Sequence, residues 1–273
     1  MAYVEASDGA KIFWRATGEG PPLLLSCASF STHLHWSGQE AELGRFARVI
    51  SWDYRGHGLS DAPDELSRYT LAQVVDDLRR VHAAAAGDSP AFAAGLSVGG
   101  IVSLSYARSR PERVRALVLC NTGPGFKNPE ALAQWSAMLE RAAEKLGEVG
   151  IEKYLEGSRA RAELLGLHPE SPLAAEARRG LLRSSVAGLQ RFARGVAGPV
   201  PNLVDALPEI RQPALVLVGE HDSNFQRASQ VLAAKLPRAE RVEIAGAGHV
   251  LNLDEPDAFV REVERFVRAE AQL

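Results

Sequence analysis

Cysteine is nearly absent: Cys27 and Cys120 are the two in 273 residues, and each ends an apolar, strand-like run. A disulfide framework is thereby excluded, neither residue has the spacing of a metal site, and buried reduced thiols are expected. Charge of either sign is not in excess either. The 31 basic and 34 acidic residues give a net charge of −3 and are spread through the chain. No basic face is predicted for nucleic acid or an anionic membrane, and small neutral or weakly charged partners are expected. No apolar run approaches the roughly 20 residues of a membrane helix. The first twenty residues alternate polar and apolar positions and carry Glu5, Asp8, Lys11, Arg15 and Glu19, unlike the core of a signal peptide, so a cytoplasmic protein is expected. There is no Gly-x-Gly-x-x-Gly and no phosphate-loop lysine, since Gly18-x-Gly20 runs into Pro21-Pro22; no cofactor is implied. His33 and His35 have no carboxylate or third histidine near them in sequence, which reads as solvated loop rather than metal ligation.

What the chain does have is a 46% hydrophobic content, enough for one large domain with an insertion. Short apolar runs recur between helical stretches at Leu23–Ser26, Val49–Trp52, Ala91–Ala94, Val114–Cys120, Ala214–Gly219 and Arg241–Ile244. That alternation predicts an α/β fold with a mostly parallel sheet. Tyr3–Glu5 and Lys11–Ala16, across the Asp8-Gly9 turn, predict an opening hairpin and a sheet mixed at one edge. Leu71, Val74, Val75, Leu78, Val81 and Ala85 share one helical face between an N-cap at Thr70 and a stop at Gly87. Phe259, Val260, Val263, Phe266 and Val267 form a closing stripe after Asp254 and Pro256. Between 123 and 205 the strand pattern disappears and helical stretches near Pro129–Leu146, Glu148–Leu165 and Leu173–Val196 replace it. The predicted organisation is a core of 1–122 and 206–273 carrying a helical insertion of 123–205.

Residues 91–99 end in Gly95-x-Ser97-x-Gly99 and lead directly into a helix. A serine hydroxyl is nearly unreactive at neutral pH, so a nucleophilic serine has to project from a tight turn where a base can reach its proton. Gly95 and Gly99 lack the Cβ atoms that would collide in such a turn. The helix N-terminus places the free N–H of Val98 and a partial positive charge beside Ser97. Alone the motif serves equally well as a plain strand-to-helix connection. Two further residues change its meaning. Asp222 lies just beyond the run ending at Gly219, and His249 follows the last strand through Gly246-Ala-Gly248. Both fall in loops at strand carboxyl ends, which open on one crevice in such sheets. Asp222 also suits a turn cap, with Glu220 as reserve carboxylate, and His221 or His57 are the other candidate bases. The order Ser97, Asp222, His249 nonetheless matches one particular triad arrangement.

With these residues the chain resembles the α/β-hydrolase superfamily over almost its whole length. Asp53-Tyr-Arg-Gly-His-Gly-Leu-Ser60 resembles the turn after that family's fourth strand, and Gly246-Ala-Gly-His-Val-Leu-Asn-Leu253 its histidine loop. The resemblance implies a structural role for Arg55, Gly56 and Gly58. Gly95-Leu-Ser-Val-Gly-Gly100 and Leu117-Val-Leu-Cys-Asn-Thr122 are similar to the 3-oxoadipate enol-lactonase and small carboxylesterase branch. Cys27, Ala28 and Ser29 stand where most members have His-Gly-x, so the resemblance implies an oxyanion hole from the N–H groups of Ser29 and Val98. It further implies hydrolysis of carboxylic esters or lactones through an acyl-enzyme. Carbon–carbon hydrolysis of ring-fission products and a non-catalytic ligand receptor are the alternatives. In the insertion, Phe126, Trp135 and Met138 are the expected substrate contacts, with Tyr154, Leu155 and Phe192 as further apolar lining, although large apolar residues on helices usually pack as core.

Overall fold

A computed structural model describes residues 2–272. The strands are β1 (Ala2–Glu5), β2 (Lys11–Thr17), β3 (Pro22–Ser26), β4 (Arg48–Trp52), β5 (Ala91–Leu96), β6 (Val114–Cys120), β7 (Ala214–Gly219) and β8 (Ala239–Ile244). They form one sheet in the order β1-β2-β4-β3-β5-β6-β7-β8. Only β2 opposes the rest, pairing antiparallel with both β1 and β4. The helices are α1 (Glu40–Leu43), α2 (Leu71–Ala86), α3 (Val98–Ser109), α4 (Pro129–Tyr154), α5 (Ser158–Leu165), α6 (Pro172–Leu181), α7 (Val186–Phe192), α8 (Gln226–Lys235), α9 (Leu251–Asp254) and α10 (Pro256–Ala271). β3, β5 and β7 are buried along their whole length, and β6 at every position but Arg115, which is why their sequences read as largely continuous apolar runs rather than alternating ones. β8, at the edge, begins earlier than its apolar residues suggest, because Ala239 and Glu240 pair with β7 while remaining partly or fully exposed.

The strand order turns at β3: the chain leaves β3 for β4 on one side and returns to β5 on the other. Such a switch point opens a crevice at the strand carboxyl ends. Ser29 follows β3 and Ser97 follows β5, so both stand at it. α2 packs beneath with Val74, Leu78, Val81 and Ala85 buried. Its Thr70 cap accepts from Gln73 N and Gly87 closes it at φ 61°. Phe259, Val263, Phe266 and Val267 of α10 are buried as their stripe requires.

The segment between β6 and β7 is helical, but its divisions differ from the predicted ones. α4 continues to Tyr154 across a single non-helical residue, Gly150 (φ 76°, ψ 168°). The stretch predicted as one helix from Leu173 is split because Ser185 caps a new start at α7, which runs into a π turn at Ala193–Ala197. Asp254 does not cap α10. Its carboxylate instead accepts from Leu167 N (2.6 Å) and Gly248 N (2.8 Å), tying the helical segment to the loop that carries His249.

His33 and His35 are buried, not solvated. His33 Nδ1 lies 2.8 Å from Asp53 Oδ2, and His33 N donates to Asp53 Oδ1 at 2.7 Å. His35 Nδ1 accepts from Thr32 N, and Nε2 donates to Leu164 O of α5 at 3.1 Å. The carboxylate that satisfies His33 comes from the turn after β4, twenty residues away in sequence. Arg55 of that turn makes a two-pronged ion pair with Asp77 of α2, both contacts 2.8 Å, and reaches Asp8 at 2.9 Å. This arrangement suits a residue that shapes the fold.

Burial also holds two histidines neutral. Desolvation lowers His35 and His57 from the ordinary value of 6.5 to about 4. Between pH 6.5 and 4 the unfolded chain binds protons at both positions while the folded chain does not, so their contribution to stability is complete above that interval and is lost as pH falls through it. Chemical denaturation near neutral pH and near pH 4 is expected to show a loss that shrinks in the His35→Gln/His57→Phe double variant. The comparison isolates the histidines from Asp77 and Asp254, whose carboxyls burial raises and which act in the opposite sense. Equal slopes for the two proteins would contradict this assignment.

Candidate active site

Ser97 occupies a sharp turn between β5 and α3, with φ 55° and ψ −119°, a region that side chains other than glycine rarely adopt. The turn is tight enough that a Cβ on Gly95 would collide with the Gly99 backbone, and one on Gly99 with Ser26 O. Ser97 N donates to Cys120 O at 2.9 Å and Thr122 Oγ1 donates to Ser97 O at 2.6 Å. The backbone is therefore fixed while the side chain lines a cavity of about 1080 Å³.

His249 lines the same cavity, and its Nδ1 lies 2.7 Å from Asp222 Oδ2. Asp222 is buried and His249 half-buried. A buried carboxylate on Nδ1 fixes the tautomer with the proton on that nitrogen and leaves Nε2 as the basic atom. Phe225 stacks on the imidazole with ring centres 5.2 Å apart and planes inclined 25°. Among the described residues no hydrogen bond joins Ser97 Oγ to the imidazole; the two residues line one cavity.

Ser29 and Val98 also line the cavity, and neither backbone N–H has a protein acceptor among the described residues. Two residues with free backbone donors, from different strand ends, thus line the cavity with Ser97. The loop after β3 turns at Phe30, whose φ of 55° is again unusual for a side-chain-bearing residue. Phe30 meets Tyr154 edge-on at 6.4 Å. Cys27 Sγ donates to Thr32 O and is buried. Burial, then the Asp53 charge, pushes its thiol pKa well up, so it is not a competing nucleophile.

The other candidates lie elsewhere. His57 is fully buried between Tyr54 and Phe192, with Nδ1 on Arg55 O. His221 is exposed and does not line the cavity. Glu220 accepts from Gly246 N at 2.9 Å, which braces the histidine loop rather than the ring. Phe126, Trp135, Met138 and Tyr154 line the cavity, whereas Leu155 and Phe192 do not and are core residues. Trp135 is fixed by its Nε1 donating to Ala197 O at 2.7 Å and meets both Phe126 and Phe225, so it packs the helical segment and faces the cavity at once.

One bracing residue is not singled out by the sequence. Asn121, fully buried at the end of β6 with φ 40°, donates from Nδ2 to Gly248 O and His249 O, both 2.8 Å, and accepts from Gly219 N at 2.8 Å. It joins the loop of Asp222 to that of His249. Asn and Gly are the residues that tolerate such a φ most readily; the Cys120-Asn121-Thr122 run after a predicted strand carried that signal, though not its partners.

A model of the alpha/beta hydrolase fold matches residues 22–256. A Bacillus subtilis protein provisionally named 2-succinyl-6-hydroxy-2,4-cyclohexadiene-1-carboxylate synthase is 32% identical over 228 residues, 81% of each chain. The crystal structure of the enol-lactonase from Burkholderia xenovorans superposes with a TM-score of 0.83 at 26% identity, covering 98% of this chain and 100% of that one. A thermophilic esterase from Thermogutta terrifontis gives 0.84 at 26% identity, covering 99% and 100%.

Proposed function

Since the chain belongs to the alpha/beta hydrolase fold family, we propose that it is a serine hydrolase of carboxylic esters or lactones, with Ser97, His249 and Asp222 as its triad. The observation that carries this reading is the 2.7 Å contact of His249 Nδ1 with buried Asp222, on a cavity that Ser97 enters from a strained turn. Substrate entry closes the Ser97–imidazole hydrogen bond. Ser97 Oγ attacks the carbonyl carbon as His249 Nε2 takes its proton, and Asp222 stabilises the imidazolium. The oxyanion is received by the N–H groups of Val98 and Ser29, the former at the positive end of α3. His249 Nε2–H then protonates the leaving alkoxide, which departs from an ester and stays tethered in a lactone. Water activated by the same imidazole cleaves the acyl-enzyme.

The helical segment of 123–205 acts as a cap that sets substrate choice through Phe126, Trp135 and Met138. The enol-lactonase and the esterase among the similar structures support acyl-transfer chemistry. The Bacillus subtilis relative is named for a synthase, which favours, as second reading, chemistry other than ester cleavage on the same three residues, including carbon–carbon hydrolysis of a vinylogous diketone. A panel of chromogenic esters and lactones of graded acyl length, run beside such a diketone, separates these readings. Steady turnover of an ester or lactone is the expected result. Turnover of the diketone alone would establish the second, and stoichiometric acylation without steady turnover a ligand-binding role.

Asn121 offers a further check on the triad. Asn121→Ala removes the hydrogen bonds that hold the His249 and Asp222 loops together and is expected to lower kcat by about 10²-fold, the effect of a small misplacement of a catalytic group. KM is expected to change little, because Asn121 does not line the cavity. An unchanged kcat in a folded Asn121→Ala protein would show that the loops hold their geometry without it.

A further inference from the structure

The cavity has an apolar wall and a basic mouth, and from this we infer that the substrate carries a terminal carboxylate, held by Arg141 and Lys153 while its ester or lactone carbonyl lies at Ser97. The inference rests on the reading of Ser97 as nucleophile and names the substrate class for that site.

The basic residues are sorted by helix face. Trp135, Met138, Ala142, Lys145 and Val149 of α4 all line the cavity, and their alternating spacing of three and four places them on one face. Arg141 borders that face and also lines the cavity. The acidic residues of the same helix, Glu130, Glu140, Glu144, Glu148 and Glu152, line none of it; Glu140 is paired with Arg194 and Glu148 with Lys145. A helix that merely met solvent would gain nothing from keeping its cations on the cavity side. Beyond the break at Gly150, Lys153 and Tyr154 return to the same cavity.

The charges at the mouth do not cancel. Arg141, Lys145, Lys153 and Arg159 line the cavity against Glu156 and Glu163. Arg159 is held by Glu163 at 2.8 Å, and Lys145 shares an exposed pair with Glu148 at 3.2 Å. Arg141 and Lys153 have no ion pair and no side-chain hydrogen bond among the described residues, and both are exposed, so either can turn to a ligand. Glu156 is the remaining carboxylate there.

Deeper in, the wall is made by Ala28, Val98, Ile101 and Leu139, with Ser29, Ser97 and His249 as polar groups. A carboxylate buried there would lack a cationic partner, a costly arrangement. An anionic substrate of this cavity therefore places its charge outward and its reacting carbonyl inward. A volume of about 1080 Å³ exceeds what a short acyl group needs and leaves room for the connecting chain.

The test compares methyl half-esters of straight-chain dicarboxylic acids with methyl esters of monocarboxylic acids of equal length. The wild type is expected to prefer the half-ester by about tenfold in kcat/KM, the yield of two exposed charge contacts, with the preference shrinking as salt is raised. In the Arg141→Gln/Lys153→Gln protein the preference is expected to fall to near unity while the neutral ester is turned over as before. Equal rates for both esters in the wild type, or a preference that survives the double substitution, would overturn the inference. If no ester is turned over, the ester-hydrolase reading fails on its own, and calorimetric binding of a free dicarboxylate against its neutral diester, in wild type and double variant, decides the carboxylate site by the same criterion.

Discussion

Replacing Ser97 with alanine is expected to lower ester turnover by about 10⁶-fold, the loss seen when the nucleophile of a serine hydrolase is removed. The size of the effect follows from the chemistry. Two neighbouring nucleophiles are not placed to take over the attack: Cys27 is buried with its thiol pKa pushed up, and Thr122 spends its hydroxyl on Ser97 O. The backbone turn is built by Gly95, Gly99 and the hydrogen bond from Ser97 N to Cys120 O, none of which needs the hydroxyl. The variant is therefore expected to melt as the wild type does and to bind substrate analogues with similar affinity. Residual catalysis above water, from the N–H groups of Val98 and Ser29 proposed as oxyanion donors, is expected to persist. A folded Ser97→Ala protein with undiminished esterase activity would remove Ser97 from the mechanism.

Asp222→Asn is expected to cost about 10⁴-fold in kcat with little change in KM. The carboxylate accepts the Nδ1 proton of His249 at 2.7 Å. An amide in its place offers an N–H donor that favours the opposite tautomer, with the proton on Nε2, where the imidazole cannot take the Ser97 proton. Geometry is preserved, so binding survives and the chemical step fails. Glu220 cannot substitute, because its carboxylate is committed to Gly246 N of the histidine loop. Measuring kcat and KM separately for Asp222→Asn checks this; loss through KM alone would mean that Asp222 serves binding rather than the imidazole.

The strands at the centre of the sheet were legible because they are buried on both faces and read as apolar runs, and α2 and α10 because each shows one stripe and recognisable ends. The elbow was legible because Gly95, Ser97 and Gly99 are close in sequence and their spacing has a steric reason. Asp222 and His249 could be paired with it only through chain order and the common edge of parallel strands. Other features depend on contacts between distant segments. Asn121 reaches Gly248 across 127 residues, and Asp254 leaves its expected capping place for Leu167, 87 residues away. His33 and His35 read as solvated in the sequence for the same reason: their partners, Asp53 and Leu164, lie on other elements. Within the helical segment, Trp135 and Phe192 look alike in sequence. Only packing separates the one that faces the cavity from the one that stacks on Tyr54.

The most direct measurement is the intact mass of the protein quenched early in the turnover of a slow chromogenic ester, followed by peptide mapping. The account predicts one acyl group per chain, located on Ser97, formed and discharged at rates consistent with turnover, and absent from Ser97→Ala. Steady hydrolysis with no adduct on Ser97, or an adduct on another residue, would contradict it.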